Sequence, residues 1–287
     1  MTTHERPLST VVPVGRPRRW AQVRRRVAHA LRAPFYWLYQ RRLERDLATW
    51  NLPRHIGVIM DGNRRYAREL GFSHISSGHL SGAEKLWEVL SWCYEVGVPT
   101  VTVWSFSLDN FERDTSEVEA LLALFEEKTK ELAEHEEVHQ KEVRVRYLGE
   151  IDRLPEGLRQ AIRHAEERTA GYTRFQLNIA MAYGGREEIL EAFRGYLRDA
   201  LVRGVDPERI AEEIDAGSIE RYLYTSGQPE PDLILRTSGE VRLSGFLLWQ
   251  SAYSEYYFCD ANWPALRKID LLRALRSYHH RHRRLGR

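Results

Sequence analysis

The most informative segment of the sequence is H-I-G-V-I-M-D-G-N-R-R, at residues 55–65. Its apolar letters, I-G-V-I-M, are typical of a short strand that is buried on both faces. Asp61, Gly62 and Asn63 follow directly, and residues of these types form turns and disfavour strands. The segment therefore predicts a carboxylate at the carboxyl end of a buried strand, where open α/β sheets place their ligand sites.

Strands alternate with helices along the rest of the chain. The hydrophobic patterns predict strands at residues 56–60, 100–106, 142–148, 175–183, 232–235 and 256–259. They predict helices at 78–96, about 115–140, 154–169, 186–203 and 266–281, with two shorter helices within 207–225. This alternation predicts an α/β fold, with a mostly parallel six-stranded sheet surrounded by helices. The carboxyl ends of the strands would then bring together Asp61, Ser105 with Ser107, the Gly184-Gly185 turn and Arg236, with Arg242 and Glu255 at the same edge.

Charge is unevenly distributed along the chain. Residues 1–50 contain eleven arginines, no lysine and three acidic residues, whereas the remainder carries a net charge of −6. We expect a disordered N-terminus at 1–17, a basic amphipathic helical arm at 18–50 and one domain at 51–287. The arm is open to two interpretations, helices that pack on the body or a partner subunit, or an anchor on an anionic membrane surface. The mildly acidic body argues against nucleic-acid binding.

The cysteines and the hydropathy bear on location. Cys93 and Cys259 are the only cysteines, and they form no C-x-x-C, which indicates a reducing compartment without a disulfide framework or a zinc site. No apolar run reaches about 18 residues, so no transmembrane helix is expected. Together these features predict a cytoplasmic protein, with the arm as the candidate for peripheral attachment to the inner face of the cell membrane.

The sequence lacks the glycine-rich loops that usually bind phosphate. Neither G-x-x-x-x-G-K-[ST] nor G-x-G-x-x-G follows the first strand. Arginine is the remaining phosphate ligand, because a guanidinium makes bidentate, charge-assisted hydrogen bonds to phosphate oxygens. The candidates beside predicted strand ends are Arg65, Arg113, Arg236 and Arg242. The chain also has no H-E-x-x-H, G-x-S-x-G or D-D-x-x-D, which argues against zinc proteases, α/β-hydrolases and helical prenyl synthases.

Asp61 is open to two interpretations on local grounds. It could cap a helix that starts near Arg64. It could instead hold Mg²⁺, which usually takes one or two carboxylates and bridges to a substrate phosphate. Glu255, after the apolar segment 246–253, could supply the second carboxylate, and His79 is a further candidate site residue.

Four more segments extend the first one into an ordered pattern. They are V-T-V-W-S-F-S-L-D-N-F-E-R at 101–113, A-Y-G-G-R-E-E-I at 182–189, D-L-I-L-R-T-S-G-E-V-R-L-S-G-F-L-L-W-Q-S-A-Y-S-E at 232–255 and R-L-G at 284–286. In this order the five segments resemble the cis-prenyltransferase family of the undecaprenyl diphosphate synthase type, over residues 53–287. Two phrases, T-S-G-Q-P-E-P-D and S-G-F-L-L-W-Q-S-A-Y-S-E, are most like the actinobacterial short-chain Z-isoprenyl diphosphate synthases.

The resemblance implies a homodimeric, Mg²⁺-dependent enzyme. Such an enzyme condenses an allylic diphosphate, such as geranyl or farnesyl diphosphate, with isopentenyl diphosphate to form a Z-prenyl diphosphate, here of short or medium chain length. One alternative within the family is a long-chain decaprenyl or undecaprenyl diphosphate synthase that makes the carrier lipid for cell-wall glycans. An alternative of another class is a non-catalytic, membrane-docked partner subunit.

The resemblance also implies roles for individual residues. Catalytic roles fall to Asp61, Asn63, Ser107 and Asn110. The allylic diphosphate would be bound by Gly62, Asn63, Arg64, Arg65, His74, His79 and Arg113. Isopentenyl diphosphate would be bound by Arg236, Arg242, Ser244, Arg284 and Gly286. Magnesium would be held by Asp61 and Glu255, the latter from across the dimer. His74 lies in a segment where the family usually carries an arginine.

Overall fold

The computed structural model describes residues 34–72, 74 and 76–281 and contains one six-stranded sheet. The strand order is β3-β4-β2-β1-β5-β6, and every neighbouring pair is parallel. The strands are β1 (His55–Ile59), β2 (Thr100–Ser107), β3 (Val143–Leu148), β4 (Phe175–Tyr183), β5 (Leu233–Arg236) and β6 (Glu255–Phe258). The predicted α/β fold is thereby confirmed. The predictions for 1–17, for the first part of the arm, and for Arg284 and Gly286 lie outside the described residues.

Helices surround the sheet. They are α1 (34–46), α2 (Asn63–Leu70), α3 (Ser76–Val96), α4 (Thr115–Glu134), α5 (Glu136–Gln140), α6 (Glu156–Thr169), α7 (Gly185–Val202), α8 (Pro207–Glu213), α9 (Ala216–Glu220) and α10 (Lys268–His280). The helix predicted to run to about residue 140 is broken at His135, whose backbone is extended and whose ring Nδ1 accepts a hydrogen bond from the Glu137 amide. Residues 246–253, an apolar segment that the sequence left open as a turn or a helix, form turns.

Strand β1 lies inside the sheet, between β2 and β5. His55 is level with Thr100 of β2, and Ile59 is level with Arg236 of β5. All five residues of β1 are buried, as expected for a strand that is covered on both faces. Because β1 ends at Ile59, the next polar side chain, that of Asp61, emerges at the carboxyl end of the sheet.

The described part of the arm packs on the body. Leu43 of α1 is buried, and the Arg267 guanidinium lies 4.4 Å from the centroid of the Tyr36 ring. Three large apolar side chains of α1 remain exposed, those of Phe35, Trp37 and Leu38. Within residues 34–72, 74 and 76–281, no helix combines the length and apolar character that a membrane crossing requires.

Candidate active site

Arg236 holds Asp61 at the carboxyl end of the β1–β5 pair. Its Nη2 donates a hydrogen bond to Asp61 Oδ2 at 2.8 Å, and the exposed fraction of the side chain is 5% for Arg236 and 34% for Asp61. The other Asp61 oxygen accepts from the amide of Gly62 at 2.7 Å. The N-cap of α2 is Gly62, with φ 100°. Asp61 is therefore not the helix cap, and that interpretation is wrong.

Arg236 also shapes the loop that follows β5. Its Nη1 donates to Ser244 Oγ at 2.9 Å and to the carbonyl of Arg242. Ser238 and Ser244 adopt left-handed backbone conformations, with φ 78° and 52°. Non-glycine residues in this region are strained, and such strain concentrates at functional loops. One buried guanidinium thus orients both Asp61 and the loop that carries Ser244.

Glu240, which the sequence reasoning missed, joins two of the predicted phosphate ligands. Its carboxylate accepts from Arg65 Nη2 at 2.9 Å and from Arg242 Nη1 at 2.6 Å. The hydrogen bond from Arg65 lowers the pKa of Glu240. Both arginines are at least half exposed, so a phosphate group can replace the carboxylate between them. The signal in the sequence was the position of Glu240 between Arg236 and Arg242 in R-T-S-G-E-V-R.

A second basic group gathers around Glu117 of α4. Arg113 Nη1 lies 3.3 Å from the Glu117 carboxylate, and Arg64 Nη1 and His79 Nε2 each lie 4.0 Å from it. Burial, followed by the charges of Arg113 and Arg64, lowers the pKa of His79 to about 4. The imidazole is therefore neutral at pH 7, and the local potential is positive, which suits a diphosphate.

Asn63, Ser107 and Asn110 border the same space. Asn63 Nδ2 donates to the carbonyl of Met60 at 3.1 Å, while its Oδ1 is buried without a partner. Ser107 ends β2, and its amide donates to Asn110 Oδ1 at 3.2 Å across the turn at Leu108–Glu112. The structure thus brings all four predicted catalytic residues, these three and Asp61, to one place.

These groups line a cavity of about 530 Å³. Eight buried side-chain nitrogen or oxygen atoms lack a partner among the described residues, and four belong to cavity-lining residues, namely Asn63 Oδ1, His79 Nε2, Trp104 Nε1 and Arg236 Nε. A buried polar atom without a hydrogen bond costs about 1–3 kcal/mol. Their concentration at one cavity indicates that a polar ligand completes these bonds.

A second, mostly apolar cavity of about 100 Å³ opens from the first. The two share Met60, Asn63, His79 and Ser105 among their lining residues. Helices α3 and α4 and strands β2 and β4 supply most of the remaining wall, which includes Leu86, Trp87, Phe125, Leu132, Ile179 and Met181. A charged cavity that continues into an apolar one suits an amphiphile with a diphosphate head and a hydrocarbon chain.

The residues present fit a magnesium ion that is shared with a substrate. Asp61 supplies a carboxylate to the cavity beside several arginines. Within residues 34–72, 74 and 76–281, no group of three His, Cys, Asp or Glu side chains gathers to enclose a metal. Mg²⁺ commonly binds one or two protein carboxylates together with phosphate oxygens and water, so the fit requires a bound diphosphate.

Glu255 does not lie where the sequence predicted. It is the first residue of β6 and is level with Leu233, the first residue of β5. It therefore lies at the amino end of the sheet, roughly 10 Å along the strands from Arg236. The prediction that Glu255 joins Asp61 at one end of the sheet is wrong within a single chain, because β6 begins rather than ends at this residue.

Two predicted residues, Glu255 and His74, thus stand apart from the cavity. The Glu255 carboxylate accepts a hydrogen bond from Arg281 at 2.8 Å, and its magnesium role across a dimer stays a prediction. His74 is exposed in the loop before α3 and is not among the residues that line the cavity, since its position precedes the helix that carries His79. The remaining described site residues surround the cavity.

Comparisons with known proteins identify the family. The family model described as undecaprenyl diphosphate synthase matches residues 59–286. An isoprenyl transferase of Thermus thermophilus is 53% identical over 258 residues, which cover 90% of this chain and 98% of that protein.

Two further relatives are named for specific products. The (2Z,6E)-farnesyl diphosphate synthase of Thermobifida fusca is 50% identical over 256 residues, covering 89% of this chain and 98% of the relative. The tritrans,polycis-undecaprenyl-diphosphate synthase (geranylgeranyl-diphosphate specific) of Thermococcus kodakarensis is 49% identical over 261 residues, covering 91% and 97%.

A solved structure extends the likeness to the fold. The crystal structure of lavandulyl diphosphate synthase from Lavandula x intermedia, in complex with dimethylallyl diphosphate, is 34% identical with a TM-score of 0.75. The match covers 82% of this chain and 99% of the lavender protein.

Proposed function

Since this chain belongs to the undecaprenyl diphosphate synthase family and is a cis-prenyltransferase, we propose that it joins an allylic diphosphate to isopentenyl diphosphate, giving a Z-prenyl diphosphate of short or medium chain length. The observation that carries the proposal is the presence of two arginine groups in one cavity, beside an apolar cavity. Each group can neutralise one diphosphate, and the apolar cavity can take the chain that grows from the allylic substrate.

The two groups divide the substrates between them. Arg236, Arg242 and Ser244 would bind isopentenyl diphosphate, because the buried Arg236 already organises their loop. The allylic diphosphate would lie near the start of α2, bound by Gly62, Asn63, Arg64, Arg65 and Arg113. The bond network of Glu240 would then open as phosphate oxygens take its place.

The reaction requires the cleavage of a C–O bond in the allylic substrate. This cleavage leaves an allylic cation and a diphosphate whose developing charge must be neutralised. Arg64 and Arg113 supply positive charge there, and Mg²⁺ held by Asp61 supplies more when bound. The double bond of isopentenyl diphosphate then attacks the cation. Asp61, Asn63 with Ser107, or the diphosphate itself would accept the proton that leaves.

The apolar cavity supports the proposed chain length. Its volume of about 100 Å³ favours a short or medium product over a long polyprenyl chain. Relatives named for a farnesyl product and for an undecaprenyl product are almost equally identical to this chain, so a long-chain synthase stays the rival. A non-catalytic partner subunit is the weaker rival, because Asp61, Asn63 and Arg236 are all present in the cavity.

The direct test is product sizing. The purified protein would be incubated with geranyl or farnesyl diphosphate, labelled isopentenyl diphosphate and Mg²⁺, and the dephosphorylated products would be separated by length. We expect short prenyl alcohols that carry label. Long polyprenols would replace the short-chain proposal by the long-chain one, and absence of any labelled product would contradict prenyl transfer.

Two assembly features belong to the proposal. A homodimer is supported by exposed apolar side chains along α7, namely Leu190, Phe193, Leu201 and Val202. Sedimentation of a dimer should give twice the mass of one chain, and Phe193→Asp should lower the measured mass.

Peripheral membrane binding is supported by exposed Phe35, Trp37 and Leu38 with basic neighbours. Deleting residues 1–50 should lower binding to anionic vesicles, whereas unchanged binding would leave α1 a packing helix only.

A further inference from the structure

Three cavities follow one another along α3. The charged cavity ends at His79, the apolar cavity runs past Ala83 and Leu86 to Trp87, and a small cavity of about 20 Å³ continues past Leu90 to Tyr94. With a rise of 1.5 Å per residue, Trp87 lies about 12 Å from His79 and about 10 Å from Tyr94 along the helix axis. The small cavity thus lies beyond Trp87 in the same direction as the apolar cavity.

The opposite walls run in the same direction. Along the chain from α4 to α5, Leu121 borders the charged cavity, Leu132 the apolar one and Val138 the small one. Strand β4 agrees, because Met181 near its carboxyl end borders the apolar cavity and Phe175 at its amino end borders the small one. The three cavities therefore form a line from the carboxyl end of the sheet toward the amino end.

Trp87 is the one residue that lines both the apolar cavity and the small cavity within the part of the chain that the structure describes. Its ring stacks on the ring of His135, with the centroids 4.1 Å apart and the planes 15° from parallel. His135 is itself held where α4 breaks from α5, because its Nδ1 accepts from the Glu137 amide at 3.3 Å. The indole therefore has a fixed partner on one face.

We propose that Trp87 is a partition that ends the growing prenyl chain, and that His135 is the positioning residue that keeps this partition closed. The inference rests on the proposed prenyl transfer and deepens it. An indole at this point stops a chain by steric clash, and a rigid stack prevents the ring from moving aside. Removal of the indole would join the two cavities, and removal of the His135 ring would let the indole move aside, so that either change would admit a longer product.

The first experiment compares products of the wild-type enzyme and Trp87→Ala, with the same allylic primer, labelled isopentenyl diphosphate and Mg²⁺. The ratio of the next longer product to the wild-type product should rise about tenfold or more, since rejection of one methylene alone gives about that discrimination. Adding Leu90→Phe to Trp87→Ala should refill the small cavity and restore the short product, whereas Leu90→Phe alone should leave the product unchanged.

Two substitutions at His135 separate stacking from helix capping. Asn is a good cap but cannot stack, so His135→Asn should lengthen the product while preserving the melting temperature. Phe can stack but cannot cap, so His135→Phe should keep the product length while lowering the melting temperature. The reverse pattern, in which length follows the cap, would overturn the role of the stack.

The outcomes also separate this inference from the proposed function. An active Trp87→Ala enzyme with wild-type product length would overturn the partition and leave prenyl transfer intact. If the wild-type enzyme forms no prenyl product, the proposed function itself fails. Should Trp87→Ala not fold, Trp87→Leu, which keeps an apolar side chain of smaller volume, provides the same comparison, again with product length as the readout.

Discussion

The two ends of the sheet contain the same kind of ion pair in different surroundings. At the carboxyl end Arg236 and Asp61 lie 2.8 Å apart, and at the amino end Arg281 and Glu255 lie 2.8 Å apart. The arginine side chain is 5% exposed in the first pair and 49% exposed in the second. The two ion pairs therefore have equal N–O distances but different burial. Burial decides how strongly solvent screens the electrostatic attraction between the two charges.

The polar groups at the two ends of the sheet also differ in whether they have hydrogen-bond partners. At the amino end the ring of His55 has partners on both nitrogens, Thr102 Oγ1 and the carbonyl of Pro229, each at 2.7 Å. Of the buried side chains there, Gln228 keeps one unpartnered nitrogen. The carboxyl end instead has several unpartnered atoms around an open cavity. The comparison teaches that polar groups with hydrogen-bond partners stabilise the fold, whereas polar groups without partners beside a cavity are available to bind a ligand.

The largest expected effect is at Asp61. Asp61→Ala should lower kcat about 10³-fold, because it removes a charge that acts in the transition state. Asp61→Asn keeps an acceptor for Arg236 but not the charge, so it should be similarly inactive while retaining the wild-type circular dichroism spectrum. Turnover near the wild-type rate in either variant would remove Asp61 from the mechanism.

A smaller loss is expected from Arg236→Lys. Lysine keeps the positive charge but lacks the planar fork of donors. Loss of one charge-assisted hydrogen bond, at about 1.5–3 kcal/mol, should raise KM for isopentenyl diphosphate about tenfold to a hundredfold. Arg242→Lys, at an exposed site, is the matched control and should raise KM less. An equal increase of KM in the two variants would show that the buried Arg236 contributes no more to binding than the exposed Arg242.

Acid should destabilise both ends of the sheet. Burial is the main cause that lowers the pKa of His55 and of His79 from 6.5 to about 4. Between these values the unfolded chain binds a proton that the folded protein does not bind. The free energy of unfolding should therefore be highest above pH 6.5 and fall toward pH 4, by at most about 3 kcal/mol per histidine.

Urea unfolding at pH 7 and pH 5 would measure this loss. His79→Gln should reduce the difference between the two pH values, because one of the two titrating groups is gone. An identical pH dependence in His79→Gln and the wild-type protein would show that His79 takes up its proton equally in both states.

The smallest expected effect is at the amino end. Arg281→Ala should change the free energy of unfolding by about 0–1 kcal/mol, since the pair is largely solvent-exposed. If Glu255 binds magnesium in a partner subunit, Glu255→Gln should raise the Mg²⁺ concentration needed for half-maximal activity, and Arg281→Ala should not. The same Mg²⁺ requirement in both variants and the wild-type enzyme would show that Glu255 forms the ion pair with Arg281 and does not bind magnesium.

Much of the fold could be predicted because strand and helix periods are local properties of the sequence. The alternation predicted six strands, and with them the meeting of Asp61 and Arg236 at the carboxyl ends of two strands. The position of Glu255 was wrong because this residue directly precedes the strand predicted at 256–259, and the start of a parallel strand lies at the amino end of the sheet, not at the carboxyl end. The contacts of Glu240 and the stack of Trp87 on His135 could not be predicted, since they depend on tertiary packing between distant segments.

The place of β1 inside the sheet has a consequence for biosynthesis. Arg236 and Asp61 are 175 residues apart in the chain, and β5 must pair with β1 before they can meet. Contacts of such long range form late and slowly during folding. A nascent chain therefore displays the first motif long before it can bind either substrate. Catalytic competence is expected to appear only after the last fifth of the polypeptide has left the ribosome.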